Sequence, residues 1–482
     1  MLLLLLFISP IIAILASIVV NKQRSMLEKI AIASVGTQII AILSIIYTVL
    51  SQNAYLISDT FSVRAFEALI LGITVTVGFV ATLHSVGYLR CEQAKGMIGF
   101  RRIKEYYILM NLFLLCMYVA ITITNPIIMW ISIEATTLST VFLISFFNRK
   151  ADIEAAWKYL IINSIGLLLG LLGTTLFLSQ GSTFNGFFNW NNLIASATHM
   201  NPLISKFAFV FVLIGYGTKM GLVPMHTWRP DAYNKAPSPI AALLSGALLN
   251  VAFLAILRFK LIVDIVAGSS FSQNLFVFFG ILSIVIAAFI IYTQKNYKRM
   301  LAYHSTEHAG IMMLGFGFGG IGIFGAILHM VYHSFAKSLL FFVSSNIAVK
   351  YSSSRITDVT GMVKVLPYSS VLYIIGFLTM VGIPPFGIFF TEFYILFAGF
   401  HHSPLIALIA LFSLVLVFLG FFKHIIEMLF GEPPKKIQKG ENNNWTIVPI
   451  IGLAIILFVF SVYLPTPLQK LLNESYTMFL GN

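Results

Sequence analysis

The stretch Lys219-Met220-Gly221-Leu222-Val223-Pro224 places a lysine, a glycine and a proline inside an apolar run that covers roughly residues 203–229. Proline removes a backbone donor and breaks the hydrogen-bond ladder of a helix. A lysine at the centre of a bilayer costs about 2.5–3.5 kcal/mol even on a lenient insertion scale. Membrane proteins tolerate such a break only where the backbone lines protein or water. The stretch therefore predicts a broken membrane helix that carries a buried charge.

The composition of the whole chain predicts an all-α polytopic membrane protein. Of its 482 residues, 59% are hydrophobic and only 10% are charged, whereas about a quarter are charged in an ordinary soluble domain. This balance excludes a water-soluble enzyme and a disordered or collagen-like chain. The apolar runs are about 20 residues long, which spans ~30 Å of hydrocarbon as a helix. The alternating ten-residue segments of a membrane barrel are absent from the sequence.

Hydropathy divides the chain into fourteen candidate spans with short loops between them. The first, Leu2–Val20, has no basic flank and no small-residue cleavage motif, so we expect a retained span rather than a signal peptide. Spans seven, eleven and twelve are too long for simple helices. The predicted spans are 2–20, 30–50, 65–89, 106–124, 127–147, 157–178, 203–229, 240–263, 274–293, 300–318, 321–349, 368–398, 404–426 and 446–464.

Span twelve contains a second break, Gly382-Ile383-Pro384-Pro385, close to Glu392 as the first break is close to Lys219. Broken helices at corresponding positions of two halves are typical of transporters built from inverted repeats. Spans four to eight and nine to thirteen therefore predict two inverted five-helix repeats, with breaks at Gly221, Pro224, Gly382, Pro384 and Pro385. The predicted units are 1–105 (helices 1–3), 106–263 and 274–426 (the two half-channels), and 446–482 (helix 14 and a tail).

The basic residues predict the orientation of the chain. The net charge is +13, but the basic residues are scattered singly, which excludes a nucleic-acid-binding stripe. Of the 30 Lys and Arg residues, 23 fall in or beside loops that follow odd-numbered spans, and 5 fall in the other loops and the tail. The positive-inside rule then places both termini outside a prokaryotic cytoplasmic membrane.

An ionisable side chain inside a span is by default a candidate for function. Charged candidates of this kind are Glu134, Lys219, Lys337 and Glu392. The alternative for the lysines, that their long stems reach a membrane interface, is disfavoured because neither lies in the last turn of its predicted span. We expect the carboxyl groups to exchange protons with a facing lysine or a file of water.

Histidines are concentrated in spans ten and eleven, at spacings that put each pair on one helix face. Histidine titrates near cellular pH, so a proton relay is the favoured interpretation. Structural hydrogen bonding and a metal site remain alternatives, although no His-Glu-x-x-His motif is present and a lysine beside His333 would oppose a dication. His84, alone in span three, fits a relay or a packing role equally. The relay candidates are His304, Glu307, His308, His329, His333 and Lys337.

These residues resemble a known family. Four segments of the chain are similar to the antiporter-like proton-pumping subunits of respiratory complex I. They are the run from Lys219 to Tyr233, Trp130-Ile-Ser-Ile-Glu134, Lys298-Arg-Met-Leu-Ala-Tyr-His-Ser305 and Gly382-Ile-Pro-Pro-Phe-Gly387. Mrp-type sodium/proton antiporters and the membrane arms of energy-converting NiFe hydrogenases share these motifs. Tyr303–Gly310 looks most like component F of hydrogenase-4 and its formate hydrogenlyase relatives.

The resemblance implies a role for each site residue. Glu134 and Lys219 would form the charged pair of one half-channel, His333 and Lys337 would belong to a central hydrophilic axis, and Glu392 would be the exit-side group. The family's usual lysine in span eight falls at Asn250, which removes a cation from the central link. The family's Trp-Leu-Pro-Asp is Trp228-Arg229-Pro230-Asp231 in this chain, which we interpret as a minor surface change.

We expect an ion-translocating subunit, for H⁺ or Na⁺, of a redox-driven complex. The sequence has no flavin, haem, iron–sulfur or nucleotide motif, and Cys91 and Cys116 match no metal spacing, so we expect no cofactor in this chain. Partner subunits with iron–sulfur and NiFe centres are therefore implied. The alternatives are a redox-independent transporter, either an Mrp-type antiporter or an inorganic-carbon uptake system, and a structural anchor with an inactive channel.

Overall fold

The computed structural model describes residues 2–52, 54–56, 59–181, 189–435 and 437–480, and most of them are helical. A two-stranded antiparallel hairpin pairs β1 (Tyr55–Leu56) with β2 (Ser62–Val63). Short helices are α7 (Trp190–Ser196), α9 (Arg229–Lys235), α10 (Ser238–Leu243) and α15 (Met362–Val365). The longer helices are α1 (Leu2–Val19), α2 (Arg24–Gln52), α3 (Ala65–Ala94), α4 (Phe100–Thr122), α5 (Pro126–Ile144), α6 (Lys150–Gln180), α8 (Pro202–Met220), α11 (Leu249–Ala267), α12 (Ser269–Thr293), α13 (Tyr297–Phe318), α14 (Ile321–Tyr351), α16 (Pro367–Met380), α17 (Gly387–His402), α18 (Pro404–Phe430), α19 (Val448–Val462) and α20 (Thr466–Leu480).

The helices confirm the predicted class of polytopic membrane protein. Among the described residues, eleven helices are long and apolar enough to cross a membrane, counting α10 and α11 as one, and α1 and α16 are shorter apolar helices. Spans seven and twelve are broken as predicted, into α8 with α9 and α16 with α17. The expectation for span eleven was wrong, because α14 runs through 31 residues without interruption.

Two spans of the first half begin with the same sequence device. Asn125 precedes Pro126 at the start of α5, and its side-chain oxygen accepts hydrogen bonds from two backbone amides of the first turn. Asn201 and Pro202 do the same at the start of α8. Asparagine is a favoured N-cap, and the fixed φ of proline suits the first helical position. These pairs fix where α5 and α8 begin.

The two helix breaks share one local geometry. α8 ends at Gly221 with φ +74°, and the amide of Leu222 donates to the carbonyl of Gly217 at 2.9 Å. α16 ends near Gly382 with φ +65°, and the amide of Ile383 donates to the carbonyl of Leu378 at 3.1 Å. This six-to-one hydrogen bond with a left-handed glycine is the Schellman motif, which ends a helix without leaving its carbonyls unpaired.

Side chains from other helices satisfy part of the backbone that the breaks open. The Val223 amide donates to Ser283 Oγ on α12, and the Gly387 amide donates to Ser461 Oγ on α19, both at 3.1 Å. Hydroxyl partners of this kind make broken helices tolerable at membrane depth. Both breaks are thus held by neighbouring helices.

The centre of the molecule is formed by α13, α14 and the span made of α10 and α11. The most apolar 18-residue stretches of that span and of α14 are 100% buried inside the protein, against 33% for α18 at the periphery. A π-helical turn, Leu244–Leu248, joins α10 to α11. Such widened turns are frequent at functional sites, and this one immediately precedes Asn250.

Candidate ion-translocation site

Lys219 lies in the last turn of α8 and is buried. Its ammonium donates hydrogen bonds to Thr137 Oγ1 on α5 at 2.7 Å and to the Tyr159 hydroxyl on α6 at 2.8 Å. The same nitrogen lies 4.9 Å from the centroid of the Tyr159 ring, a distance at which a cation–π interaction is favourable. Lys219 is therefore held among neutral oxygen atoms inside the protein.

Glu134 lies one helical turn before Thr137 on α5 and is only partly buried. Its Oε1 accepts a hydrogen bond from Ser164 on α6 at 2.7 Å, and its Oε2 lies 3.5 Å from Thr137 Oγ1. Among the described residues, no direct ion pair joins Glu134 to Lys219. The Thr137 hydroxyl instead bridges the two side chains that the sequence paired.

Asn250 connects the central span to α14. Its Nδ2 donates to Ser334 Oγ at 2.7 Å and to the carbonyl of Gly246, in the π-helical turn, at 3.2 Å. Ser334 lies three residues before Lys337 on α14, so the residue that Asn250 contacts is about one helical turn away from that lysine. Asn250 therefore links α11 to α14 through a neutral hydrogen bond.

Three histidines form one hydrogen-bonded row that ends on α17. Nε2 of His304 lies 3.1 Å from Nε2 of His308, Nδ1 of His308 lies 2.9 Å from Nε2 of His329, and Nδ1 of His329 lies 2.8 Å from Thr391 Oγ1. The Thr391 hydroxyl donates its own hydrogen to the Ile388 carbonyl, so its oxygen accepts from His329. A neutral imidazole has one donor nitrogen and one acceptor nitrogen. With this assignment, each histidine of the row donates its hydrogen to the next member in the direction of Thr391.

Glu307 lies beside the first two histidines of the row. Its Oε2 is 3.5 Å from Nε2 of His304 and 3.3 Å from Nε2 of His308, and all three side chains are buried. Their candidate ligand atoms lie within 4.8 Å of one another, which satisfies the spacing of a metal site. The same two nitrogen atoms are engaged in the hydrogen bond between the rings, so a metal would have to replace that bond.

His333 and Lys337 are buried on α14, next to the histidine row. The His333 ring lies 5.3 Å from the His308 ring and is nearly parallel to the His329 ring at 6.3 Å. Within the part of the chain that the structure describes, the Lys337 ammonium and both His333 nitrogens have no hydrogen-bond partner. Buried polar groups are usually paired, often through ordered water.

Glu392 follows Thr391, the last member of the histidine row, in the sequence of α17. Glu392 is partly buried, and one of its carboxylate oxygens packs against the Cα of Gly382 at the second break. A Cβ atom at Gly382 would meet that oxygen, so the carboxylate would have to move. The positive φ favours glycine at this position.

Arg229 corrects the sequence interpretation, which treated it as a surface change. Its side chain is fully buried, and its guanidinium packs against Gly221 at the first break. It donates to the Met220 carbonyl at the end of α8 and, at 3.2 Å, to Thr306 Oγ1 on α13. The error arose because the chain turns back into the protein after the break. Hydropathy averaged along the sequence does not reveal such a turn.

Other contributors were missed for a simpler reason. They carry hydroxyl groups, which are too common in membrane helices to stand out in a sequence. These residues are Thr137, Tyr159, Ser164 and Thr391. The spacing of Thr137 three residues after Glu134 was the one available signal, because it puts both on one helix face. His84 is not in the hydrogen-bonded row; its ring packs 5.2 Å from the Phe342 ring on α14.

Two broken helices, each with a charged group against its break, and a buried polar row between them define an antiporter-like membrane subunit. The family described as "NADH:quinone oxidoreductase/Mrp antiporter, TM" matches residues 123–419. The chain belongs to this family of antiporter-like, ion-translocating membrane subunits.

The chain is 34% identical to a hydrogenase-4 component F homolog of Methylacidiphilum infernorum over 412 residues, which cover 84% of this chain and 86% of that protein. Its fold is similar to a chain of the membrane-bound sulfane sulfur reductase, an archaeal respiratory membrane complex, with a TM-score of 0.87 and 23% identity over 99% and 97% of the two chains. It is also similar to a chain of the Mrp complex from Dietzia sp. DQ12-45-1b, with a TM-score of 0.84 and 19% identity over 99% and 96%. These two likenesses concern the fold alone.

Proposed function

We propose that this chain is the ion-translocating membrane subunit of a redox-driven, hydrogenase-4-like or complex I-like assembly in a prokaryotic cytoplasmic membrane. Its partners would be other membrane subunits together with subunits that carry iron–sulfur and NiFe centres. The similarity to a hydrogenase-4 component F homolog supports this choice of assembly.

The observation that carries the proposal is a set of polar groups that lie at and between the two helix breaks. Three hydrogen-bonded clusters belong to it: Lys219 with Thr137, Asn250 with Ser334, and the histidine row that ends at Thr391. Charged groups at membrane depth are costly and line ion or proton paths. The path would run from Glu134 and Lys219 past Asn250 and Lys337 to Glu392.

The energy for transport would come from the partner subunits. Moving one charge against 100 mV requires ~2.3 kcal/mol, so a pump needs a driving reaction. Proton transfer would begin when the hydrogen bonds of Lys219 to Thr137 and Tyr159 rearrange and would proceed along the histidine row toward Glu392.

The test is ion movement in inverted membrane vesicles from the native organism and from a strain that lacks this gene. Vesicles would receive either a low-potential electron donor, such as hydrogen or formate, or an imposed sodium gradient. We expect donor-dependent acidification in native vesicles and its loss in the deletion strain. Proton movement that follows the sodium gradient and ignores every donor would identify the redox-independent alternative instead.

A further inference from the structure

Arg229 is a buried guanidinium without a carboxylate partner among the residues that the structure describes. The neighbouring Asp231 pairs instead with Lys158 at 3.4 Å and with Arg299 at 3.1 Å. A buried charge that lacks a partner is normally strongly destabilising. Two neutral oxygen atoms, of Met220 and Thr306, are its hydrogen-bond acceptors. A hydrophobic side chain would fill this space at a lower cost in free energy, so the presence of a charge requires an explanation.

The position of Arg229 supplies that reason. Its acceptor Met220 directly follows Lys219 in the first half, whereas its acceptor Thr306 lies on α13, between His304 and His308, in the second half. The guanidinium therefore touches both halves at their junction. It also interacts electrostatically with Lys337 on α14.

A guanidinium cannot release its proton in a protein, so Arg229 cannot act as a relay. It is a permanent charge in a region where water is scarce and electrostatic interactions are strong. We propose that Arg229 is a fixed positive charge at the junction of the two half-channels, which disfavours protonation of Lys337 and His333 and thereby sets the pH range in which this part of the axis takes up protons. This inference rests on the proposed ion-translocating function.

Among the described residues, the Glu307 carboxylate, which follows Thr306 on α13, also acts on Lys337, in the sense opposite to Arg229. The ring centroids of Trp228 and Tyr233 lie 5.8 and 5.6 Å from the guanidinium carbon. His226, in the loop of the first break, and His333, on α14, also lie within electrostatic range. No carboxylate among the described residues pairs with the guanidinium, so its charge acts on His333 and Lys337.

The first experiment replaces the charge and keeps the hydrogen bonding. Arg229→Gln, in the intact complex, should assemble and should shift the pH profile of ion flux toward higher pH by about one unit, because a like charge no longer opposes protonation of the axis. Arg229→Lys keeps a positive charge and should retain the native profile near neutral pH.

The second experiment cancels the charge without touching Arg229, which guards against a glutamine variant that fails to assemble. Thr306→Asp places a carboxylate at the oxygen that accepts from Arg229 at 3.2 Å. Thr306→Asn is its neutral control of the same shape. The Asp variant should shift the profile in the same direction as Arg229→Gln, and the Asn variant should not.

Two results would overturn the inference and leave Arg229 as a structural contact of the break. One is identical pH profiles for Thr306→Asp and Thr306→Asn, and the other is a native pH profile for an assembled Arg229→Gln complex. Failure of the proposed function is a different result, because native complex would then show no coupled ion flux at any pH.

Discussion

At the scale of single residues, a hydroxyl group lies between Glu134 and Lys219, and no direct ion pair joins them in the described part of the chain. Lys219 and Glu134 each approach Thr137 Oγ1, at 2.7 and 3.5 Å. A buried hydrogen bond to a charged group contributes about 1.5–3 kcal/mol. The state of the pair is therefore set by a side chain that carries no charge.

Thr137→Val removes this bridge and nearly preserves the shape of the side chain. We expect ion flux to fall about tenfold or more, since about 1.4 kcal/mol corresponds to a factor of ten. The control is Thr136→Val, because Thr136 is equally buried and its hydroxyl bonds only to the Ile133 carbonyl of its own helix. Flux in proteoliposomes of the whole complex is the measurement. Equal flux from the two variants would show that the bridge has no role.

At the scale of helices, both breaks end in a left-handed glycine, but they present opposite charges to it. The guanidinium of Arg229 packs against Gly221, and the carboxylate of Glu392 packs against Gly382. The breaks are alike in backbone and complementary in charge. This arrangement suits a path that begins near one break and ends near the other.

Gly382→Ala tests the second break. The new methyl group would meet the Glu392 carboxylate, and a non-glycine residue at φ +65° costs about 1–2 kcal/mol. We expect a lower membrane yield and a severe loss of ion flux. Gly452→Ala in α19 is the control, because a methyl group there meets no atom within 4 Å. If Gly382→Ala pumps at the native rate, the position of Glu392 against the break is not required.

At the scale of the whole molecule, the sequence predicted the parts of the fold that lipid dictates. Apolar runs of about 20 residues identify spans because the bilayer demands that length, and Pro384 and Pro385 identify a break because proline has no backbone amide hydrogen to donate to a helix. Charged candidates such as Lys337 were visible because charges are rare in spans. The burial of Arg229 and the bridging role of Thr137 were not visible, because both depend on how separate helices come together.

The ends of the chain lie on one face of the molecule. The ring of Phe7, in α1, lies 5.2 Å from the ring of Phe61, just before α3. The ring of Phe479, in α20, lies 5.2 Å from Phe66, near the start of α3, and from Phe316, near the end of α13. These positions adjoin loops that the charge pattern assigns to the outside.

The opposite face, at the other ends of α1, α3 and α13, carries several basic residues. Lys104 donates to the carbonyl of Val20, at the far end of α1, at 3.1 Å. A cavity of about 310 Å³ opens on this face and is lined in part by Lys95, Arg149 and Lys298. Basic residues are retained on the cytoplasmic side during insertion, so this face should be cytoplasmic.

We therefore predict that both termini face away from the cytoplasm. Alkaline phosphatase fused after Asn482 should be active, and a green fluorescent protein fused there should be dark, because the first folds only outside and the second only inside. Insertion of the same reporters after Gly440, in the basic loop before α19, is the matched control and should give the reverse pattern. A fluorescent terminal fusion combined with a dark Gly440 insertion would invert the topology, and it would place Glu392 and Lys219 in a path of the opposite direction.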